Sequence, residues 1–199
     1  MESKFSDILL GNYIKLRKVV IDDALDIYNW RTGNSGKFLH HPIDYNIEMQ
    51  KNWIINRPAN EINYIIINKL TNEKVGMISI CECNFIDKVA EVGRLLLKDY
   101  YLNKSNPFGL EALLICYDYV LNKMKFRKIT GTIASLNSNM LKLQLFLGMK
   151  QEGLLSEHTF INNQYTDLHV LSIFNDQFNK VYVNKIKFLL KPFLNDTIS

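Results

Sequence analysis

Lys104-Ser-Asn-Pro-Phe-Gly-Leu-Glu-Ala112, read together with Asn137 to Gly148 downstream, decides the fold of this chain. The first stretch is a polar loop that opens into a strongly apolar helix. Asn106 suits the N-cap, because its side chain can accept from an unpaired helix N–H. Pro107 suits the first helical position, where a missing N–H costs least. Gly109 follows two residues later. The free N–H groups and the dipole of such a helix start favour an anion. A phosphate-bearing ligand docked there would define what the chain does.

Outward from this loop the pattern is regular. Residues 107–124 read as a long helix, with Leu110, Leu113, Leu114, Tyr117, Leu121 and Met124 as its core stripe. A strand precedes it over 89–98, apolar on both faces toward its end, and another follows over 128–134. That strand, helix, strand spacing predicts a right-handed crossover joining parallel neighbours, covered on both sides. Residues 137–147 form the next helix, stopped by Gly148 at its C-cap. Strands over 150–161 and 164–174 follow, joined at Asn162-Asn163 by a hairpin turn. Upstream, strands over 62–69 and 74–83 lead into 89–98 as an antiparallel meander, with turns at Thr71-Asn72-Glu73 and at 84–87. A first strand covers 13–18. Asp22 caps a helix running to about Trp30, which reads as core, and residues 46–56 form a second amphipathic helix. Beyond Asp176 an additional helix carries Val181, Val183, Ile186, Phe188 and Leu189, to pack on the domain or on a partner subunit.

Composition sets the bounds. The chain has 199 residues, 47% hydrophobic and 22% charged, enough for one domain with a real core. The net charge of +4, from 24 Lys+Arg against 20 Asp+Glu, is spread over scattered lysines. It is weak evidence for nucleic acid, which is not expected as a partner, and suits a small anionic ligand at least as well. Cys81, Cys83 and Cys116 make no disulfide framework. The spacing of Cys81 and Cys83 puts both on one face of a strand, and no further ligand follows at metal spacing, so buried thiols and no metal are expected. The N-terminal residues lack a charged-then-apolar signal pattern. No apolar run reaches the roughly 20 residues that span a bilayer. The chain reads as cytoplasmic, without a membrane partner.

Two motifs carry a family resemblance. Lys104-Ser-Asn-Pro-Phe-Gly109 lies where the GNAT superfamily of acyl-CoA N-acetyltransferases has Gln/Arg-x-x-Gly-x-Gly/Ala. Asn137 through Leu147-Gly-Met-Lys-Gln-Glu-Gly153 resembles that family's Asn-x-x-Ser followed by Leu-Gly-Phe-x-x-Glu-Gly. With the order of elements, the resemblance runs from about residue 13 to residue 174. The helix ending in Trp30-Arg31 and residues 158–167 resemble the branch that acetylates ribosomal-protein N-termini or amino sugars. The resemblance implies an α/β (α+β mixed) single domain over 1–174. Its central mixed sheet is mostly antiparallel and seven-stranded, with one parallel splayed pair and flanking helices, and residues 175–199 form a helical extension. It implies acetyl-CoA as co-substrate and no metal. The acceptor is a primary amine (protein N-terminus, amino sugar or small amine) that attacks the thioester directly. The pantetheine arm is expected between the splayed strands, bonded to backbone near Leu95 and Leu97. Lys104, Ser105, Asn106, Phe108 and Gly109 are expected to hold the pyrophosphate, with Pro107 removing one donor where the family has its first glycine. Asn137 contacts the arm in this resemblance and is equally a plain helix N-cap; the two roles coexist.

An alkyl ammonium has a pKa of about 10.4, so an attacking amine is helped by a base. Glu91 is the leading candidate, at a position where relatives place an acid working through water. By period two Glu91, Gly93 and Leu95 share a face, with Arg94 on the opposite one as an ion-pair partner. The competing reading of Glu91 is a strand glutamate paired with a lysine or arginine. Relatives protonate the departing thiolate with a tyrosine, here Gln144, or a serine, here Met140. Neither can do so, and a thiol pKa of roughly 8.5 makes the thiolate a tolerable leaving group without an acid. Ser138 or water then supplies the proton. Arg31, His40 (beside His41), His158 and Tyr165 are the acceptor-side candidates, with solvated loop histidines as the competing reading of the first pair. The missing acids also support a second function, a non-catalytic CoA-binding sensor. The C-terminal helix leaves a homodimer open.

Overall fold

The computed structural model describes residues 5–39, 42, 44–102 and 104–197. Eight strands form one sheet: β1 Ile8–Leu10, β2 Ile14–Lys18, β3 Ile62–Asn68, β4 Lys74–Asn84, β5 Val89–Leu97, β6 Lys128–Ala134, β7 Lys150–Ile161 and β8 Gln164–Phe174. Their order is β1-β2-β3-β4-β5-β6-β8-β7. Every neighbouring pair is antiparallel except β5 and β6, the parallel pair expected from the crossover. The helices are α1 Ala24–Thr32, α2 Ile47–Ile55, α3 Asp99–Leu102, α4 Phe108–Asp118, α5 Ser138–Leu147, α6 Asn175–Gln177 and α7 Val183–Leu190.

The sheet divides two cores. Tyr64 and Ile66 of β3 face the core built with Leu113, Cys116 and Tyr117 of α4. Ile65 and Ile67, one step along, face the smaller core under α1 and α2, which holds Ala24, Ile27, Trp30 and Ile54. That alternation is what a strand buried on both faces requires. A π turn, Phe178–Tyr182, links α6 to α7, and Phe178, Tyr182 and Ile186 lie fully buried in the α4-side core. The segment beyond β8 is therefore built into this core.

The eighth strand is β1, which the sequence reading omitted. Three residues with exposed flanks carry little pattern. Its hairpin with β2 is fixed from outside by Glu111 of α4, whose buried carboxylate accepts from the N–H groups of Asn12 at 2.6 Å, Tyr13 at 2.8 Å and Ile14 at 2.9 Å. A Cβ on Gly11 would stand 2.7 Å from the Glu111 carboxyl carbon, so this turn needs glycine. At α1 the anchoring acid is Asp23 rather than Asp22. It accepts from Val20 N–H at 2.9 Å and pairs with Arg17 and Lys74, each at 2.8 Å. Burial alone would raise its pKa, but the hydrogen bonds from Arg17 and Lys74 outweigh it and hold Asp23 below the ordinary range.

Two bulges correct the period-two reading. Met77 pairs with Leu96 and Ser79 with Gly93, so β5 carries one extra residue there, with Arg94 at φ +51°. Leu95 and Leu97 consequently pack on the α4 side with Ala90 and Val92, while Leu96 packs under α1 and α2. Glu91 and Leu95 do not share a face. Arg94 stands instead on the Glu91 side, 5.7 Å from the Trp53 ring centroid. In β4 the extra residue is Glu82, at φ +51°. It turns Cys83 into the α4-side core and leaves Cys81 directly across from Glu91, so the two thiols face opposite ways. All three cysteines are buried and free.

Candidate active site

Parallel pairing of β5 and β6 runs through Val89–Lys128, Ala90–Ile129 and Glu91–Thr130 and then stops. Beyond it the strands part around a cleft of about 120 Å³, lined by Gly93 and Leu95 of β5, Gly131 and Thr132 of β6, and also by Tyr117 and Gln144. Asn137 and Met140 border this cleft and also a wider one of about 480 Å³ flanked by Ser35, Leu97 and Asp99. A narrow apolar slot with unpaired strand backbone along it fits an extended chain carrying amides, such as a pantetheine arm. Asn137 keeps both expected roles available: its Oδ1 accepts from Met140 N–H at 3.4 Å as helix cap, and it lines both clefts.

The loop before α4 lies beside this slot. A Cβ on Gly109 would stand 3.5 Å from Leu97 Cδ1 and 3.7 Å from Leu95 Cδ2. Pro107 occupies the N-cap position (φ −85°), and α4 begins at Phe108. Asn106 accepts from Phe108 N–H at 3.2 Å and donates to the carbonyls of Tyr101 and Lys104. The Phe108 amide, expected to meet phosphate, is thus engaged within the loop, and its ring is buried edge-on against Tyr101 at 5.2 Å. Leu97 N–H likewise donates to Ser35 Oγ at 2.9 Å. Ser105 and Lys104 are exposed, the Lys104 ammonium 3.4 Å from the Tyr100 ring centroid. None of Lys104, Ser105, Asn106, Phe108 and Gly109 lines either cleft.

Glu91 sits where strand pairing ends. Its Oε1 lies 3.3 Å from where a Cβ on Gly93 would stand, and Gly93 lines the slot. Among the described residues it makes no ion pair; the Arg94 guanidinium is taken by Glu61 at 3.1 Å. Burial, seconded by the neighbouring Glu82 charge and opposed by Arg94, pushes the Glu91 carboxyl up to about 7. A carboxylate poised there can take a proton at neutral pH.

On the leaving-group side, Ser138 is exposed and lines neither cleft. Gln144 is buried, its Oε1 accepting from the Tyr182 hydroxyl at 3.2 Å. Tyr182 stacks on Tyr117 at 4.7 Å and 18°, and the Tyr117 hydroxyl donates to Met149 Sδ at 3.3 Å. The sequence pattern placed Tyr117 in a core stripe and gave no sign that it also lines the slot.

The third cleft, of about 780 Å³, opens between the end of α1 and the β7–β8 hairpin, lined by Arg31, Lys37, Tyr45, Phe160, Asn162 and Asn163 among others. It shares Leu39 with the narrow slot and Lys37 with the 480 Å³ cleft beside Asp99, so the three clefts adjoin. Arg31, an acceptor-side candidate from the sequence, lines this cleft, its guanidinium 5.4 Å from the Tyr45 ring centroid. His158 and Tyr165 do not line it. β7 carries two extra residues between Leu155 and Thr159, which leaves His158 exposed outside the pairing. Tyr165 is 69% exposed and touches Phe160, the residue that faces the cleft. His40 lies outside the described residues, as does His41. Among the described residues there is no metal-holding group of three or more His, Cys, Asp or Glu, and no helix is long and apolar enough to cross a membrane.

Three kinds of comparison bear on this geometry. Over 120 residues the chain is 25% identical to the spermidine N(1)-acetyltransferase of Escherichia coli (strain K12), a match spanning 60% of this chain and 63% of that protein's length. A GCN5-related N-acetyltransferase from Brucella melitensis superposes with a TM-score of 0.77 at 14% identity, covering 94% of this chain and 87% of the other. A spermidine N-acetyltransferase variant from Vibrio cholerae superposes with a TM-score of 0.72 at 20% identity, covering 85% and 98%. These structural likenesses speak for the fold. Residues 14–150, from the start of β2 to the first residue of β7, match the family model described as an acetyltransferase (GNAT) domain. By that match the chain, with its splayed parallel pair and the loop beside it, belongs to the GNAT acetyltransferase family.

Proposed function

We propose that this chain is an acetyl-CoA-dependent N-acetyltransferase acting on a primary amine. The observation that carries the reading is the slot opened where β5 and β6 part, with Glu91, whose carboxyl is pushed up to about 7, standing outside its lining but against Gly93, which lines it. Acetyl-CoA supplies the acetyl group as a thioester. The unpaired backbone about Leu95, the Ser105 and Gly109 amides, the Lys104 charge and Asn137 are the groups to hold it. Glu91 takes the proton from the incoming amine, directly or through water, as the C–N bond forms and the C–S bond breaks. The thiolate leaves with a pKa of roughly 8.5 and takes its proton from solvent. The curated relatives, named as spermidine N-acetyltransferases, support an amine acceptor.

A second reading, a CoA-binding sensor, draws on Gln144, whose carboxamide oxygen is tied to Tyr182 where relatives keep an acid. One experiment separates the two. Acetyl-CoA at about a hundred times its Kd stabilises the native state by about 2.7 kcal/mol, which raises Tm by about 5–10 °C for a chain of this size. Thiol release with a panel of amines is then followed. A shift with amine-dependent thiol release supports the enzyme; a shift without release from any amine supports the sensor. No shift and no release refutes both.

A further inference from the structure

The acceptor-side cleft is positive. Arg31 and Lys37 line it, the remaining polar lining is neutral, and no Asp or Glu is among the described residues that line it. Arg31 enters from the last turn of α1, and its guanidinium is stripped of enough water that burial lowers its pKa, with Tyr45 opposing. Lys37 is exposed, and its loop is pinned across the cleft, where Asn162 Nδ2 of the hairpin turn donates to the Lys37 carbonyl at 3.3 Å. Glu91, beside the adjoining slot, is the proton acceptor of the proposed reaction, and two other nearby acids are committed elsewhere. Asp99 lines the cofactor-side cleft and accepts from Asn34 N–H and Nδ2, both at 3.0 Å, and from Ser35 N–H at 3.1 Å. Glu61 holds Arg94 at 3.1 Å with its side chain 6% exposed. A second ammonium on the acceptor would meet two like charges in a partly desolvated cleft, whereas an anion there would meet two donors.

We propose that the acceptor amine carries an anionic group, a carboxylate or phosphate a few bonds from the attacking nitrogen, held by Arg31 and Lys37. This rests on the acetyltransferase reading and narrows its substrate class away from the polycation named for the spermidine relatives. The transfer is balanced as before: C–N forms, C–S breaks, and one amine proton passes to Glu91.

The test is thiol release from acetyl-CoA by the full chain. β-Alanine and γ-aminobutyrate form the carboxylate arm, and phosphoethanolamine the phosphate arm. Ethanolamine and butylamine are neutral comparators, and spermidine and putrescine are polycations. At least one anionic arm should exceed its neutral comparator about tenfold in kcat/KM, or about 1.4 kcal/mol, and should exceed spermidine. The leading arm identifies the anion. Arg31→Gln and Lys37→Gln should each cut that preference severalfold, mainly through KM. Should Arg31→Gln fail to fold, Lys37→Gln alone decides, since Lys37 is exposed. Spermidine or a neutral amine ahead of both anionic arms overturns this proposal alone, as does a preference unchanged in the variants. Thiol release from no amine removes the acetyltransferase reading together with this one.

Discussion

Glu91→Gln offers two independent readouts of one carboxyl. With the group pushed up to about 7, about a tenth of it is ionised at pH 6 and about nine-tenths at pH 8. The small neutral fraction of the acceptor amine also grows with pH over this range, so the informative quantity is the ratio of wild-type to variant kcat/KM. That ratio should rise about tenfold between pH 6 and pH 8, reaching on the order of 10²–10⁴ at the upper end if Glu91 is the base. Stability gives the second readout. The folded pKa lies above the ordinary value of 4.5. The associated stabilisation is therefore full below about 4.5 and is lost as pH rises through about 7. The full shift corresponds to about 3 kcal/mol, reduced to about 1–2 kcal/mol because Glu91 is only half-buried and water screens it. Glutamine escapes the cost of the charged form. The variant should melt about 2–6 °C higher than wild type at pH 8, with most of that gain gone at pH 5. A flat activity ratio across pH would refute the base assignment. A thermal gain of equal size at pH 5 and pH 8 would refute the electrostatic account behind it.

The other predictions concern the frame around that carboxyl. Gly93→Ala puts a methyl 3.3 Å from Glu91 Oε1, tighter than ordinary contact, and should lower kcat severalfold in the same thiol assay while a melting curve moves by less than 3 °C or so. Glu111→Gln leaves three N–H groups of the β1–β2 turn with a weaker, partly mismatched acceptor. It should cost about 2–3 kcal/mol, a fall of about 5–10 °C in Tm; an unchanged melt would show the turn is held otherwise. Tyr182→Phe removes the donor to buried Gln144 Oε1 and should cost about 1–2 kcal/mol by denaturant titration. A midpoint unchanged from wild type would contradict that bond.

Much of the frame was legible because local chemistry set it. Asn162-Asn163 and Gly148 are turn and cap residues with conformations few others adopt, both Asn at positive φ and Gly148 at φ +114°. They delimited β7, β8 and α5 without help from the rest of the chain. The parallel pair followed from helix length and strand spacing alone. What escaped was set at a distance. β1 depends on a carboxylate from α4. The bulges at Glu82 and Arg94 place ordinary residues at positive φ; only Gly93, beside Arg94, marks one of them in the sequence, and a period-two reading that passed over it carried Leu95 to the wrong face. The widest of the three clefts is bridged by Lys37 and Asn162, 125 positions apart. The sequence offered Tyr165, but it is the cross-strand neighbour Phe160 that lines this cleft.

The stacking of Tyr182 on Tyr117 also makes the lining of the slot depend on a segment outside the sheet. Every strand of the sheet precedes Tyr182 in the chain. A chain cut after Phe174 would keep its full set of strands and Glu91, with Tyr117 and Gln144 open to water on the side that Tyr182 covers. Both of these residues line the slot, so a proteolytic cut in the Phe178–Tyr182 turn is expected to wet it without removing a strand.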